Sequence, residues 1–279
     1  MKVIVIGGSG YIGRNIAQHV SADKVSYYSR SNSEELDKAG IEWIKGDILD
    51  AEKVMESVKD YDMVVDAAGI DTESEQKFFD VNVNGVKNIV AALNKYDTDQ
   101  RLVYLSSINV HYGTTEFFRT KRTGEDNAAL VKNHLNVRPS VVFGNGDKFT
   151  QKLFQLTGQK ISKLPSGGSI SPVHVEDLVS VIERAKDLRG AVDVCSRDKI
   201  SFADAINLAY EKTGQSPRKV VEGKFGYKGA VESLKAANVF TPDEVDKYLL
   251  NFYRENTYLD RFVKEPVSFR EYVKNYSLS

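Results

Sequence analysis

The sequence predicts an α/β protein built on a doubly wound parallel sheet, with a smaller mixed C-terminal lobe. Three observations carry this. Met1–Ile6 is a short apolar run rich in β-branched residues, as a strand buried on both faces requires. It runs directly into Gly7-Gly8-Ser9-Gly10-Tyr11-Ile12-Gly13, after which Ile12, Ile16, Ala17 and Val20 recur at helical spacing. The same exchange of short apolar run for amphipathic helix then repeats to about residue 143.

Taken in order, Val25–Ser29 is the second strand, followed by a polar helix over Ser33–Lys38. Ile41–Ile44 is a third strand, and Asp50 or Ala51 begins a helix through Val54, Met55 and Val58. Met63–Asp66 is the fourth strand, and a long helix over about Glu73–Lys95 carries Phe78, Phe79, Val83, Val86, Ile89, Val90 and Leu93 as its apolar stripe. Leu102–Leu105 is the fifth strand, a helix covers about Thr115–Lys132, and Leu135–Arg138 with Val141–Phe143 forms the sixth. Strict alternation then fades. Gly144–Asp147 is a turn, Lys148–Thr157 a helix, Val173–Val175 a short strand and Glu176–Lys186 a helix, with Ala191–Cys195 as a further strand. Ser201 with Asp204 caps a helix through Thr213. Thr241-Pro242-Asp243-Glu244 combines a threonine cap, a proline at the first helical position and a capping-box glutamate. That helix is expected to carry Val245, Tyr248, Leu249, Phe252 and Tyr253, and Ser268 with Glu271 repeats the capping pattern. The expected organisation is a nucleotide-binding domain over 1–143, rejoined by 173–197, with 144–172 and 198–279 forming a substrate or partner lobe.

Composition narrows the function classes. With 41% hydrophobic and 28% charged residues the chain reads as an ordinary globular protein. A net charge of −1 without a long basic stripe argues against nucleic acid as a partner. The single cysteine, Cys195, lies in a strand and reads as a buried, inert thiol, and the four scattered histidines do not form a metal-binding pattern. No apolar run approaches membrane-span length, and a first strand at residue 2 leaves no room for a signal peptide, so a cytoplasmic protein is expected. Protein partners and oligomeric state are not legible.

Strand, glycine turn and helix in that order are the context of a dinucleotide fingerprint: glycine lets backbone approach a pyrophosphate, and the helix start offers unpaired N–H groups to it. Two registers fit, Gly8/Gly10/Gly13 and Gly7/Gly10/Gly13. The first expects an acid at the end of the second strand to hold a ribose hydroxyl, whereas that strand here ends in Ser29-Arg30-Ser31. The second register is therefore favoured. Gly7–Gly13, Arg30, Asp47, Ala67–Gly69 and Ser106-Ser107 all fall at predicted C-terminal strand ends, the edge where such sheets bind ligands.

Gly7–Gly13, Gly46-Asp47-Ile48, Asp66–Gly69, Val81-Asn82-Val83-Asn84-Gly85, Ser106-Ser107, Lys121, Arg138-Pro139 and Pro172–Asp177 resemble the extended or atypical short-chain dehydrogenases/reductases, whose nucleotide domain is a Rossmann sheet. Arg119–Glu125 resembles the atypical branch, which includes relatives of a respiratory complex I accessory subunit and NmrA-like regulators. The resemblance covers about Met1–Lys186 well and the rest weakly. It implies cofactor contacts at Gly7, Gly10, Tyr11, Ile12, Gly13, Arg30, Asp47, Ile48, Ala67, Ala68, Gly69, Asn82, Ser106, Lys121 and Pro139. Asp47 would accept from the adenine amino group, Asn82 would brace the strand ends, and Pro139 would lie against the nicotinamide. Arg30 favours NADP(H) over NAD(H), since a guanidinium there can fork onto a ribose 2′-phosphate; Arg14 could add a second charge.

Members of this superfamily usually combine a serine with Tyr-x-x-x-Lys, the phenol exchanging a proton as hydride moves. Ser107 and Lys121 fit the serine and lysine positions, but Phe117 stands four residues before Lys121. Tyr112 and His111 are the nearest replacements, although Tyr112 lies nine residues before Lys121 with Gly113 between. The expected function is an oxidoreductase of unknown substrate, with Ser107, Lys121 and Tyr112 as candidate catalytic residues; the alternative is a cofactor-binding sensor, regulator or accessory subunit.

Overall fold

A computed structural model describes residues 1–70, 73, 76–95, 99–255 and 257–277. The chain divides into two compact units, Met1–Pro139 with Leu178–Val194, and Ser140–Asp177 with Cys195–Ser279.

The first unit is a seven-stranded sheet. Its strands are β1 (Lys2–Ile6), β2 (Lys24–Ser29), β3 (Glu42–Lys45), β4 (Met63–Asp66), β5 (Arg101–Leu105), β6 (His134–Pro139) and, late in the chain, Gly190–Val194. Their spatial order, from the late strand inward, is Gly190–Val194, β6, β5, β4, β1, β2, β3, and every pairing is parallel. The order reverses between β1 and β4, which places the crevice of a doubly wound sheet outside the ends of these two strands. Side-chain alternation splits the strands between two cores. Ile4, Ile6, Tyr28, Val64, Leu102 and Tyr104 pack with α3 (Ala51–Val58), α4 (Val86–Lys95) and α5 (Glu116–Ala128). Val3, Val5, Tyr27, Val65 and Val103 are fully buried on the opposite face. Two further helices belong to the early strands, α1 (Tyr11–His19) and α2 (Glu34–Lys38).

Two sequence expectations are corrected here. The helix expected from Glu73 is helical only from Phe78, and Asp80–Gly85 is a π-helical turn. The wider turn occurs where the backbone runs close to α3's entry loop: a Cβ on Gly85 would lie 2.8 Å from the Ile48 Cδ1. The expected sixth strand is also two pieces. β6 ends at Pro139, and β7 (Val142–Phe143) pairs in parallel with β10 (Val173–His174). Ser140 between them turns its hydroxyl to the Phe252 carbonyl at 2.6 Å.

The second unit contains β7, α6 (Lys148–Thr157), β8 (Lys163–Pro165), β9 (Ser169–Ile170) and β10. The helix α7 (Val175–Arg184) and β11 (Gly190–Val194) return to the first unit after Asp177. The second unit then resumes with β12 (Ile200–Ser201), α8 (Phe202–Lys212), β13 (Lys219–Val221), α9 (Lys224–Ala236), α10 (Pro242–Tyr248), α11 (Leu259–Phe262) and α12 (Phe269–Lys274). Phe149 packs its ring against Phe202, Phe240, Tyr248 and Phe269 within this unit. The caps of α8, α10 and α12 form as read from the sequence, and Thr241 with Glu244 makes the reciprocal capping box. α10 stops at Tyr248, so Phe252 is not on that helix; it forms an isolated parallel bridge to Ile170. Among the described residues no helix is long and apolar enough to cross a membrane.

Candidate functional site

The turn after β1 is built by its glycines. Gly7 has φ +77°, a conformation only glycine adopts readily, and a Cβ on it would lie 2.6 Å from the Ala68 nitrogen. A Cβ on Gly13 would lie 2.4 Å from the Gly7 carbonyl oxygen, so the third glycine lets α1 pack onto the turn. Helix α1 starts at Gly10 with no side-chain cap and no acid in its first turn. Its first N–H groups therefore face outward without a side chain competing for them.

A cleft opens beside this turn. Gly7, Gly10, Arg30, Asp47, Ile48, Ala67, Ala68 and Gly69 all line it, with Ser9, Tyr28 and Gln76 among the residues that sequence reasoning did not single out. Arg30 is exposed and makes no ion pair among the described residues. Arg14 is different, because its Nε lies 3.0 Å from the Glu35 carboxylate. Asp47 accepts from the Leu49 N–H at 3.0 Å, while its carbonyl accepts from the Tyr28 hydroxyl at 2.7 Å. The helix cap of α3 is Asp50, not Asp47. Small residues on one wall, an uncapped helix start and an unpaired guanidinium fit a dinucleotide.

Tyr11, Ile12, Gly13, Asn82, Ser106, Ser107, Tyr112, Lys121 and Pro139 do not line this cleft. Lys121 approaches its edge: its Nζ lies 3.6 Å from where a Cβ on Gly69 would be, donates to the Leu105 carbonyl at 2.8 Å and sits 4.9 Å above the Tyr104 ring. Asn82 is buried in the π turn and donates to the Thr120 hydroxyl at 3.0 Å. Ser106 and Ser107 are both buried after β5, where the Ser106 N–H donates to Val137 and the Ile108 N–H to the carbonyl of Pro139.

Phe117 is half-buried, edge-on to Phe78 at 5.8 Å and to Phe118 at 5.2 Å. Tyr112, 75% exposed, occupies the turn before α5, outside the cleft. His111 is engaged elsewhere: its Nε2 lies 2.7 Å from an Arg138 nitrogen that can only donate, so this ring nitrogen accepts. Arg138 also grips buried Glu125, and that hydrogen bond raises the guanidinium pKa.

One residue that the sequence places at a strand end, at the head of the Asp66–Gly69 stretch, and to which it assigns no role stands out. Asp66 is 1% exposed; one carboxylate oxygen accepts from the Ala68 N–H at 3.1 Å, and the other has no hydrogen-bond partner. Burial raises its pKa to about 6, opposed by Lys121 and by the Ala68 N–H. The signal for it in the sequence is an acid closing an otherwise apolar strand. Among the described residues no group of three His, Cys, Asp or Glu could hold a metal ion.

Residues 3–133 match the NAD dependent epimerase/dehydratase family. The chain is 29% identical over 194 residues to the mitochondrial NADH-ubiquinone oxidoreductase 40 kDa subunit of Neurospora crassa, covering 64% of this chain and 50% of that protein. It is 27% identical over 192 residues to the mitochondrial NADH dehydrogenase [ubiquinone] 1 alpha subcomplex subunit 9 of Dictyostelium discoideum, covering 64% and 53%. The chain thus spans about half the length of these relatives. Its fold is that of UDP-glucose 4-epimerase from Thermus thermophilus, solved in complex with NAD, with a TM-score of 0.75, 19% identity and coverage of 98% and 97%.

Proposed function

We propose that the chain, whose residues 3–133 match the NAD dependent epimerase/dehydratase family, is an extended short-chain dehydrogenase/reductase that binds NADP(H) and acts as an oxidoreductase. The observation that carries the reading is the cleft at the β1/β4 switch point, where the Gly7–Gly10 turn, the Ala67–Gly69 wall and Asp47 converge. Gly7, Gly10 and the start of α1 hold the pyrophosphate, with Tyr11, Ile12 and Gly13 shaping the turn, and Asp47 with Ile48 holds the adenine. Arg30 forks onto the 2′-phosphate and so selects NADP(H) over NAD(H). Lys121 holds the nicotinamide ribose, Pro139 the ring, and Asn82 and Ser106 brace the strand ends. The bound nicotinamide supplies hydride chemistry. Ser107 polarises the acceptor oxygen. Phe117 offers no proton, so the substrate class that fits is one already electrophilic, such as a quinone or activated carbonyl, with Tyr112 or water giving the proton. The second unit carries substrate or partner recognition, and a cytoplasmic location belongs to the same reading, in keeping with a single cysteine.

A second reading, a cofactor-holding accessory protein without turnover, is favoured by Phe117 and by the two complex I subunits among the relatives. Nucleotide titration separates the two. Saturating NADPH is expected to raise the melting temperature more than NADH does, and Arg30→Ala to weaken NADPH binding far more than NADH binding; equal losses overturn the NADP(H) assignment. A hydride-transfer screen with quinones and carbonyls follows. Binding without turnover, unchanged in Phe117→Tyr, selects the accessory reading, and absence of any thermal shift overturns both.

A further inference from the structure

The carboxyl of Asp66 closes β4 at the strand end whose next residues, Ala67–Gly69, form a wall of the cleft. In register it stands between Ile6, which leads into Gly7, and Tyr104. Tyr104 in turn pairs with Asn136, so Asp66, Tyr104 and Asn136 form a polar row across β4, β5 and β6. All three are buried, and each keeps one side-chain oxygen without a hydrogen-bond partner. A hydrophobic core does not account for such a row, because every unpaired oxygen in it carries a desolvation penalty.

The charged groups around the row are few. From α5 come Lys121, which acts electrostatically on Asp66, and Glu125, whose charge is matched by Arg138. From β5 comes the Tyr104 phenol, which burial and the nearby Asp66 and Glu125 hold well above its ordinary pKa and hence neutral. The π turn contributes the uncharged Asn82, and β6 the uncharged Asn136 beside Arg138, which also has Asp193 at 3.9 Å and the His111 ring at 2.7 Å. Of these groups Lys121 is the one whose charge acts directly on Asp66. Ionised Asp66 offsets that positive charge, and protonation of Asp66 releases it.

We propose that Asp66 makes dinucleotide binding proton-linked: its buried carboxyl takes up a proton from solvent as the phosphates settle against the adjoining turn. This rests on the nucleotide-binding reading above. A pyrophosphate brings negative charge to a site of reduced dielectric, where a nearby carboxylate repels it. Protonation removes that repulsion and leaves the Lys121 charge facing the nucleotide. The Ala68 hydrogen bond survives protonation on the other oxygen, so the wall keeps its shape. Asp66 is a positioning residue here, acting through the field at the cleft and not through contact with substrate.

The test measures Kd for NADPH and for NADH by nicotinamide fluorescence between pH 5.5 and 8, in wild type and in Asp66→Asn, whose amide oxygen still accepts from Ala68. Wild-type affinity is expected to weaken about tenfold with rising pH, the equivalent of a one-unit shift in one group. Asp66→Asn is expected to bind at pH 8 as tightly as wild type does at pH 5.5, with only the residual slope of the 2′-phosphate for NADPH and none for NADH. Should that variant fail to fold, wild-type calorimetry in buffers of different ionisation enthalpy reads the proton directly: uptake on NADH binding near pH 7 supports the proposal. A slope shared by both proteins, or no proton uptake, overturns it while leaving nucleotide binding intact. Absence of binding at any pH overturns this proposal and the nucleotide-binding reading together.

Discussion

At the scale of single residues, the same Asp66 that fits a proton-linked site is a liability to the fold. Its folded-state pKa of about 6 lies above the ordinary Asp value of 3.8, so the native state holds the proton more tightly than the unfolded chain does. The sign is therefore opposite to that of a salt-bridged carboxylate. The cost is nearly absent below pH 4, grows as pH rises through the window between the two values, and is complete above about 6. A shift of about two units corresponds to about 3 kcal/mol. Asp66→Asn is thus expected to unfold at higher urea than wild type at pH 8, by an amount that shrinks steadily towards pH 4. A pH-independent difference would mean that the variant acts through packing and not through the charge. Asp66 was readable as a letter at a strand end, but its proton affinity was not. That affinity depends on Lys121 and on burial beneath α5, which come from a later part of the chain.

At the scale of elements, α5 shows what replaced the expected catalytic helix. Its buried face does structural work towards its C-terminal end. Gly124 admits the Tyr104 hydroxyl, which would lie 2.3 Å from a Cβ there, and Glu125 receives two hydrogen bonds from Arg138 on β6. Glu125 is 4% exposed, so removing only its partner strands a carboxylate in the interior. Arg138→Met is expected to cost about 3 kcal/mol in chemical denaturation, and Glu125→Gln with Arg138→Met to recover most of it. Full additivity of the two single changes would show that the pair is not coupled. Most helices and strands up to residue 139 were legible because each carries its own period, to which Ala51–Val58 adds the Asp50 cap. The pairing of β7 with β10 was not. Two-residue strands have no period to read, and nothing local distinguishes Val142–Phe143 from the end of a longer sixth strand. The cleft followed the first pattern: its glycines and Arg30 were readable, whereas Tyr28 and Gln76 reach it only because the sheet brings them there.

At the scale of the whole molecule, the residues assigned to the nucleotide lie in Met1–Pro139, yet that stretch is not a complete folding unit. The sheet's outer strand beside β6 is β11, and the neighbouring α7 buries Leu178, Val179, Val181 and Ile182. Arg101 at the start of β5 donates to the carbonyls of Ala185 and Leu188, which fastens the end of α7 to this unit. A fragment 1–139 loses these partners at once. It exposes the edge of His134–Pro139, where Leu135 and Val137 are fully buried in the intact chain, and an unpaired apolar edge is a template for association. It is expected to aggregate, or to unfold without a cooperative transition, despite holding every residue assigned to the cofactor. Joining 1–139 to 178–194 through a Gly/Ser linker restores β11 and most of α7 and is expected to restore cooperativity. Ligand linkage then gives the functional readout: at a hundredfold excess over Kd, NADPH stabilises a binding-competent fold by about 2.7 kcal/mol. A thermal shift of that order in the joined chain, absent from 1–139, would place the minimal nucleotide-binding fold in the discontinuous unit. An equal shift in both would mean that β11 and α7 are dispensable to it.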